Sequence, residues 1–247
     1  MLPPPLPQQV ETLQRVLDRV SMAAADGGPP PIVVFGVDGA LYDSRPRTLQ
    51  ILLEFGEEIA REEPEVSEAL SVLTLERMHY LLSQTLRECG ITHADLVRDI
   101  TSYWRERFHS DDYALLDEPN PGSVDYVRAV HDVGGGIVYL SGRDVPGMLL
   151  GTITSLRDHG FPVAEVGVEV VLKPDATLGT ESFKRSSLKR IGNRGDVMAI
   201  FDDQASSCEM ARLIFPDADV GLVDTWADDP PPSSESGIAT VRDFRLL

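Results

Sequence analysis

Short apolar runs rich in β-branched residues recur along the chain and alternate with stretches of helical periodicity. The runs lie at residues 32–37, 137–141, 166–172, 197–201 and 220–223. Apolar residues at helical spacing fill the segments between the later runs, at 122–133, 146–159, 181–191 and 205–214. Strands that alternate with helices of this length form a parallel sheet whose two faces are covered. The sequence therefore predicts an α/β fold with a Rossmann-like parallel sheet and helices on both faces.

One connection is much longer than the others. A strand–helix–strand unit needs about 30 residues in all, yet roughly a hundred residues separate the first two apolar runs. Helical spacing continues through this excess, at 49–63, 67–89 and 95–109. We therefore predict a helical cap over 45–114, inserted into an α/β core formed by 31–44 and 115–247. The aromatic residues of the last helical stretch are expected to pack in the interior of the cap rather than bind a ligand.

Both ends of the chain carry proline clusters. Apolar residues at helical spacing follow a Pro-rich start, and DGGPPP at 26–31 then breaks the chain. We predict an N-terminal helical extension and linker over 1–30, with a packing role. The segment DDPPPSSES at 228–236 predicts a surface loop before a terminal strand.

The charge of the chain limits its partners. Forty acidic residues outnumber 22 lysines and arginines, which gives a net charge of −18. A surface this acidic repels nucleic acid and anionic membranes, so a phosphate-bearing ligand must be attracted by a local site. Cys89 and Cys208 show no zinc-ligand spacing. The N-terminus lacks the basic start and apolar core of a secretory signal. We therefore expect reduced thiols in a cytoplasmic protein with no nucleic-acid or membrane partner.

Polar residues follow the apolar runs at the positions where a parallel sheet binds ligands. They are Asp38 and Asp43 after the first run, Ser141 to Asp144 after the second, Lys173 and Lys184 after the third, and Asp202 and Asp203 after the fourth. A hydroxyl, an ammonium group and several carboxylates in one crevice suit phosphoryl transfer with Mg²⁺. Carboxylate oxygens hold the metal, while the lysine and the hydroxyl bind phosphate oxygens. Lys184 and Lys173 both remain candidates for the phosphate-site lysine.

These residues resemble the motifs of haloacid dehalogenase superfamily phosphohydrolases, over about residues 31–247. The first motif of that family, D-x-D-G-T-L, resembles GVDGAL at 36–41. The second motif, a Ser or Thr that closes an apolar strand, resembles Ser141, and the third-motif lysine resembles Lys184. The acidic pair of the fourth motif resembles Asp202 and Asp203. The inserted helices also lie where that family places a cap domain.

The resemblance implies roles for the matched residues. Ser141, Gly142 and Lys184 would bind the phosphate group. Asp38 resembles the acid–base aspartate and would contribute its main-chain carbonyl to a Mg²⁺ site. The carboxylates of Asp202 and Asp203 would complete that site. Asp38, Ser141 and Lys184 are thus the candidate catalytic residues.

Position 36 departs from the family pattern. The aspartate that attacks phosphorus and ligates Mg²⁺ in the family is Gly36 here, and the following threonine is Ala40. Glycine offers neither a nucleophile nor a metal ligand, so any Mg²⁺ site should be weak. An extended strand imposes no backbone penalty on a side chain at this position. We therefore expect that an aspartate could be introduced there.

Three functions remain open at this stage. The protein can be a pseudo-phosphatase, that is, a binding module for a small phosphorylated molecule. It can be a Mg²⁺-dependent phosphohydrolase of reduced activity that acts on a small phosphorylated metabolite. It can also be a retained fold whose crevice binds nothing. Nucleotide-binding patterns of the P-loop and G-x-G-x-x-G types are absent from the sequence. The five histidines are expected at ordinary surface or partly buried positions.

Overall fold

The main sheet of the computed structural model, which describes residues 3–226, 233 and 236–247, has six parallel strands. The strands in chain order are β1 (Pro31–Gly36), β2 (Tyr42–Asp43), β3 (Glu118–Pro119), β4 (Gly136–Asp144), β5 (Val168–Lys173), β6 (Asp196–Asp202), β7 (Asp219–Val223) and β8 (Ile238–Val241). The spatial order in the main sheet is β5-β4-β1-β6-β7-β8, while β2 and β3 form a separate antiparallel pair. Most of the surface loop predicted over 228–236 lies outside the described residues.

Ten α-helices occur in the described part of the chain. They are α1 (Pro7–Ala25), α2 (Arg45–Glu58), α3 (Pro64–Ser71), α4 (Leu82–Glu88), α5 (Ala94–Phe108), α6 (Asp111–Ala114), α7 (Ser123–Asp132), α8 (Val145–Asp158), α9 (Thr180–Gly192) and α10 (Ala205–Ile214). None of the helices within the described ranges is both long and apolar enough to cross a membrane.

Residues of the central strand alternate between the two faces of the sheet. Val33 and Phe35 of β1 belong to one apolar cluster, and Ile32 and Val34 belong to another. Helices α7 and α8 pack on the first face, while α9 and α10 pack on the second. Because both faces are buried, the strands read as continuous apolar runs. This confirms the predicted α/β fold, a parallel sheet with helices on both faces.

The N-terminal helix α1 contributes to the main apolar core. Leu13, Val16 and Val20 are fully buried in the same cluster as Phe35. The side-chain amide of Gln9 also donates to Oδ1 of Asp243, at 2.7 Å, near the other end of the chain. The helical stripe in the sequence is therefore the buried face of a helix that the sheet needs as a cover.

The inserted helices have an apolar cluster of their own. The chain leaves the core at β2, forms α2 to α6, and returns at β3. The fully buried members of the separate cluster are Leu52, Leu70, Leu86 and Ile100. We call α2 to α6 the cap.

The single helix expected over 67–89 was wrong. This segment contains the end of α3, a 3-10 turn at Leu75–Arg77, and α4. Thr74 and Met78 on either side of the turn have extended backbone angles. Leu73 and Met78 are nevertheless buried in the cap cluster. A broken chain can therefore bury apolar residues that show helical spacing in the sequence, and the spacing alone did not reveal the break.

The sheet changes the direction of its connections between β1 and β6. The connection after β1 returns through α7 on one face, and the connection after β6 runs through α10 on the opposite face. Ligands of open α/β sheets bind at such a switch point, outside the carboxyl ends of the strands. The structure thus places Asp38 and the Asp202–Asp203 pair at the expected edge.

Leu13→Ala is expected to lower the free energy of unfolding by about 3 kcal/mol, because it opens a cavity in the main core. Met22→Ala is the matched control, since Met22 lies on the same helix but is 69% exposed. It should change the free energy by no more than about 0.5 kcal/mol. Denaturant unfolding of both variants measures the difference. Equal effects would mean that α1 is not part of the cooperative core.

Candidate functional site

A cavity of about 370 Å³ opens at the switch point, between the carboxyl ends of the central strands and the cap. Six of the residues that the sequence singled out line it, namely Asp38, Ser141, Gly142, Arg143, Lys184 and Asp203. Lys173, the rival lysine, ends β5 and is not among the described lining residues. The structure thus brings the predicted phosphate-binding residues together, with Lys184 rather than Lys173 at the cavity.

The loop after β1 is held in a fixed conformation. Gly39 has a φ of +74°, and a Cβ there would overlap the carboxylate of Asp203. The amide of Asn120 donates to the carbonyls of Gly39 and Ala40, at 2.9 and 2.7 Å. The hydroxyl of Thr225 also donates to the carbonyl of Gly39, at 3.0 Å. Only glycine fits this position without strain.

Asp38 is bound by two arginines. Arg143 donates to it from Nε and Nη2 at 2.9 and 2.7 Å, and Nη2 of Arg47 donates at 2.6 Å. Oγ of Ser141 donates as well, at 3.2 Å. Burial raises the pKa of the Asp38 carboxyl, but the two guanidinium groups outweigh it and hold the pKa well below its usual range. Asp38 is therefore a carboxylate at neutral pH.

The same two arginines share a second carboxylate, Asp117. Nε of Arg47 donates to Asp117 at 2.9 Å, and Nη2 of Arg143 donates to its other oxygen. Arg47 is fully buried, and its Nη1 also donates to the main-chain carbonyl of Phe108 at 2.7 Å. We call Asp38, Arg47, Asp117 and Arg143 the charge cluster. Arg47 belongs to the cap, so the cluster joins the cap to the core.

Lys184 and Asp202 form a separate buried ion pair. Nζ of Lys184 donates to Oδ2 of Asp202 at 2.7 Å and to the hydroxyl of Ser207 at 3.3 Å. The main-chain amide of Gln204 donates to the other oxygen of Asp202, at 3.1 Å. Burial lowers the pKa of Lys184, but the neighbouring carboxylates hold it above its ordinary value. Lys184 is charged, and both oxygens of Asp202 are engaged.

Gly36 lies against this ion pair. A Cβ added at position 36 would lie 3.1 Å from Oδ2 of Asp202 and 3.3 Å from Cβ of Ala40. An aspartate at this position must therefore displace its neighbours by a few tenths of an ångström and accept a second carboxylate beside Asp202. The prediction that an aspartate could be introduced here considered only the backbone, and these contacts add a steric and electrostatic cost that it left out.

Asp203 is the second carboxyl group that lines the cavity. Burial, together with the carboxylates of Asp202 and Asp38, raises its pKa to about 8, against the opposing effect of Lys184. The group is therefore mostly protonated at neutral pH. A protonated carboxyl can donate a hydrogen bond to a ligand oxygen.

The donor set does not fit a Mg²⁺ ion. Of the predicted ligands, Asp202 accepts hydrogen bonds at both carboxylate oxygens, one of them from the ammonium group of Lys184, and the pKa of Asp203 is raised to about 8. Within the described residues, no three His, Cys, Asp or Glu side chains are arranged to hold a metal. Positive charge near Asp38 comes instead from Arg47 and Arg143. The weak magnesium site predicted from Asp38, Asp202 and Asp203 stays a prediction, and this arrangement does not favour it.

Several cavity residues were not predicted. The aromatic side chains of Tyr80, Trp104, Phe108 and Trp226 line the cavity, as do His79 and His109. The expectation that the aromatic stripe of α5 lies in the interior of the cap was therefore wrong for Trp104 and Phe108. Burial and the charge of Arg47 lower the pKa of His109. Sequence spacing cannot distinguish a ring that packs in a core from one that faces a cavity.

The charge cluster was also missed in part. Arg143 is among the residues noted after the second apolar run, but the sequence predicted no role for this arginine. Arg47 and Asp117 carry no such signal, because an arginine in a helix and an aspartate in a loop are ordinarily exposed.

Comparisons with known proteins support the fold. No protein-family model matches the chain, and no curated protein matches it. A solved structure of a candidate phosphatase from Clostridium difficile is similar, with a TM-score of 0.55 and 14% identity, over 86% of this chain and 94% of that one. Protein tyrosine kinase A of Mycobacterium tuberculosis gives 0.52 and 15%, over 87% and 94%. A dehalogenase solved with an intermediate gives 0.51 and 12%, over 88% and 95%.

These likenesses show the fold alone, since every identity is low. The three similar structures are described as a phosphatase, a kinase and a dehalogenase. One fold thus serves several reactions, and only the residues of the site can indicate a function.

Arg47→Met is expected to lower the free energy of unfolding by about 3 kcal/mol, because it leaves buried carboxylate charge without its partner. Arg45→Met is the matched control on the same helix, where the ion pair with Asp43 is partly exposed. It should cost no more than about 1 kcal/mol. Denaturant unfolding of the two variants checks this, and equal losses would contradict the importance of burial at Arg47.

Proposed function

We propose that this protein is a pseudo-phosphatase: a module with a phosphatase-type fold that binds a small phosphorylated molecule without hydrolysing it. Ser141, Gly142 and Lys184 are the residues that would hold the anionic group. All three line one cavity, and Lys184 carries a positive charge there. A hydroxyl donor and a buried ammonium group suit phosphate oxygens.

The state of Asp38 is the observation that carries this proposal. A phosphatase of the resembled type needs an attacking carboxylate and an acid that protonates the leaving group. Position 36 supplies no attacking group. The acid position is held deprotonated by Arg47 and Arg143, and a carboxylate without a proton cannot donate one. Both halves of the covalent chemistry are thus missing from the first-motif loop.

The charges around the cavity favour an anion without the help of a metal. Arg47, Arg143 and Lys184 balance the carboxylates of the charge cluster and of Asp202. Asp203 adds little negative charge at neutral pH because its pKa is about 8. The cavity is therefore close to neutral in a chain whose net charge is −18. An anionic ligand meets far less repulsion there than elsewhere on the protein.

A weakly active Mg²⁺-dependent phosphohydrolase that acts on a small phosphorylated metabolite is the second candidate. Its support is that Ser141, Lys184 and Asp203 line the same cavity. It requires water to attack phosphorus in place of the missing aspartate. Direct assays of binding and turnover separate the two candidates.

Inorganic phosphate is expected to raise the melting temperature of the protein, by an amount that grows with phosphate concentration. Lys184→Ala should abolish this shift, while Lys173→Ala should keep it, because only Lys184 lines the cavity. Each variant is compared with its own phosphate-free melting temperature, and Ser141→Ala serves if Lys184→Ala fails to fold. Adding Mg²⁺ should change the phosphate shift little. A shift that depends on Lys173, or that needs Mg²⁺, would contradict this assignment of the site.

The wild-type protein is expected to show no turnover of phenyl phosphate above the level of Lys184→Ala, with or without Mg²⁺. Gly36→Asp should also stay inactive, because Asp38 remains bound by two arginines and cannot protonate the leaving group. Release of inorganic phosphate measures both. Clear wild-type turnover would favour the phosphohydrolase. Turnover by Gly36→Asp alone would mean that the missing carboxylate at position 36, and not the state of Asp38, prevents hydrolysis.

A further inference from the structure

The cavity has room for more than a phosphate group. Its volume is about 370 Å³, within the range of sites that enclose whole small organic molecules. Four aromatic side chains line it together with the phosphate-site residues, namely Tyr80, Trp104, Phe108 and Trp226. The organic part of a bound ligand would therefore meet aromatic surface.

The four rings form two pairs that come from different parts of the chain. Trp104 and Phe108 of α5 have ring centroids 4.5 Å apart, and Tyr80 and Trp226 have centroids 5.5 Å apart. Nε1 of Trp104 donates to the hydroxyl of Thr48 at 3.2 Å, which fixes the plane of that indole. A site whose rings are already oriented loses little conformational entropy when a flat ligand binds.

Packing of the cap does not explain the first pair. The apolar cluster of the cap contains Phe55 and Ile100, with Tyr103 packed against it. Trp104 and Phe108 are outside this cluster and are only half-buried. Both residues line the cavity, so the ring surface that their neighbours leave uncovered faces a ligand bound there.

The aromatic rings are poorly placed to receive a cationic ligand. The guanidinium of Arg47 already lies over the ring of Phe108, 3.9 Å from its centroid, and that of Arg45 lies 5.9 Å from the centroid of Trp226. These arginines occupy cation–π positions and would repel a further cation. A neutral planar ring meets no such charge repulsion, and it stacks favourably on an indole such as that of Trp104.

We propose that the cavity selects an anionic ligand that carries a planar aromatic ring, such as an aryl phosphate. That the ligand is anionic follows from the proposed function. That it carries a ring is inferred from the aromatic lining alone. Trp104 is then the main specificity-determining residue, because its plane is fixed by Thr48 and it belongs to the closer ring pair.

The chain contains its own reporter for this test. Its two tryptophans, Trp104 and Trp226, both line the cavity, so a ring that binds there should change the intrinsic fluorescence. Calorimetry gives the affinities independently. The probes are inorganic phosphate, ethyl phosphate, phenyl phosphate and phosphocholine. Phenyl phosphate should bind about fivefold to tenfold more tightly than ethyl phosphate, and phosphocholine no more tightly than ethyl phosphate.

Trp104→Leu should weaken the binding of phenyl phosphate far more than that of ethyl phosphate, and so remove the advantage of phenyl over ethyl phosphate. Tyr103→Leu is the matched control, since this neighbouring ring on α5 does not line the cavity. Trp104→Phe keeps a ring and should retain most of the advantage. If Trp104→Leu does not fold, Trp104→Phe and the separate variant Trp226→Leu test the proposal in its place.

The outcomes separate the inference from the proposed function. Equal binding of ethyl and phenyl phosphate would overturn the aromatic specificity and leave the anion-binding function standing. If phosphocholine bound most tightly, the cavity would select a cationic group rather than a planar ring, and the aromatic specificity would be overturned. Failure of every phosphate probe to bind would overturn both the proposed function and the inference that rests on it.

Discussion

The buried charge cluster is the constraint on which the site depends. Two arginines and two aspartates neutralise one another at the wall of the cavity, which Asp38, Arg47 and Arg143 line. Arg47 and Asp117 are among the most buried side chains of the protein. A buried ion pair is retained only if most of its hydrogen-bonding groups are satisfied. Here the remaining guanidinium donors reach the carbonyl of Phe108 and the hydroxyl of Thr152. The cluster therefore fixes the first-motif loop, the end of β4 and the start of the cap in one arrangement.

The charge cluster limits the proton chemistry of Asp38, the residue that resembles an acid–base aspartate. A catalytic aspartate must gain and lose a proton near neutral pH, whereas a carboxylate between two guanidinium groups cannot. The Lys184–Asp202 pair, which borders Gly36, neutralises itself in the same way. What remains at the cavity is a set of hydrogen-bond donors and aromatic faces. The proposed binding function rests on this set.

The sequence predicted the parallel sheet because burial on both faces leaves a direct mark, the continuous apolar run. It predicted that Ser141, Lys184 and Asp203 meet, because strand order alone brings strand ends together. It did not predict the partners of Asp38. Arg47 reaches the site from a helix nine residues away in sequence, and Asp117 arrives from beyond the whole cap. The long-range charge pairs, and the orientation of Trp104 toward the cavity, depend on how the cap packs on the core. Local periodicity in the sequence carries no information about that packing.

The short β2–β3 pair brings the two ends of the cap side by side. Geometrically, such an insertion could be exchanged for a turn with no change to the six-stranded sheet. The charge cluster makes that exchange costly, because Arg47 lies in the part that would be removed, whereas Asp38, Asp117 and Arg143 lie in the part that would remain. A chain so shortened would keep every strand and yet leave two carboxylates facing a single guanidinium. The cap and the core are therefore separable along the chain, but the charges of the cluster bind them to each other.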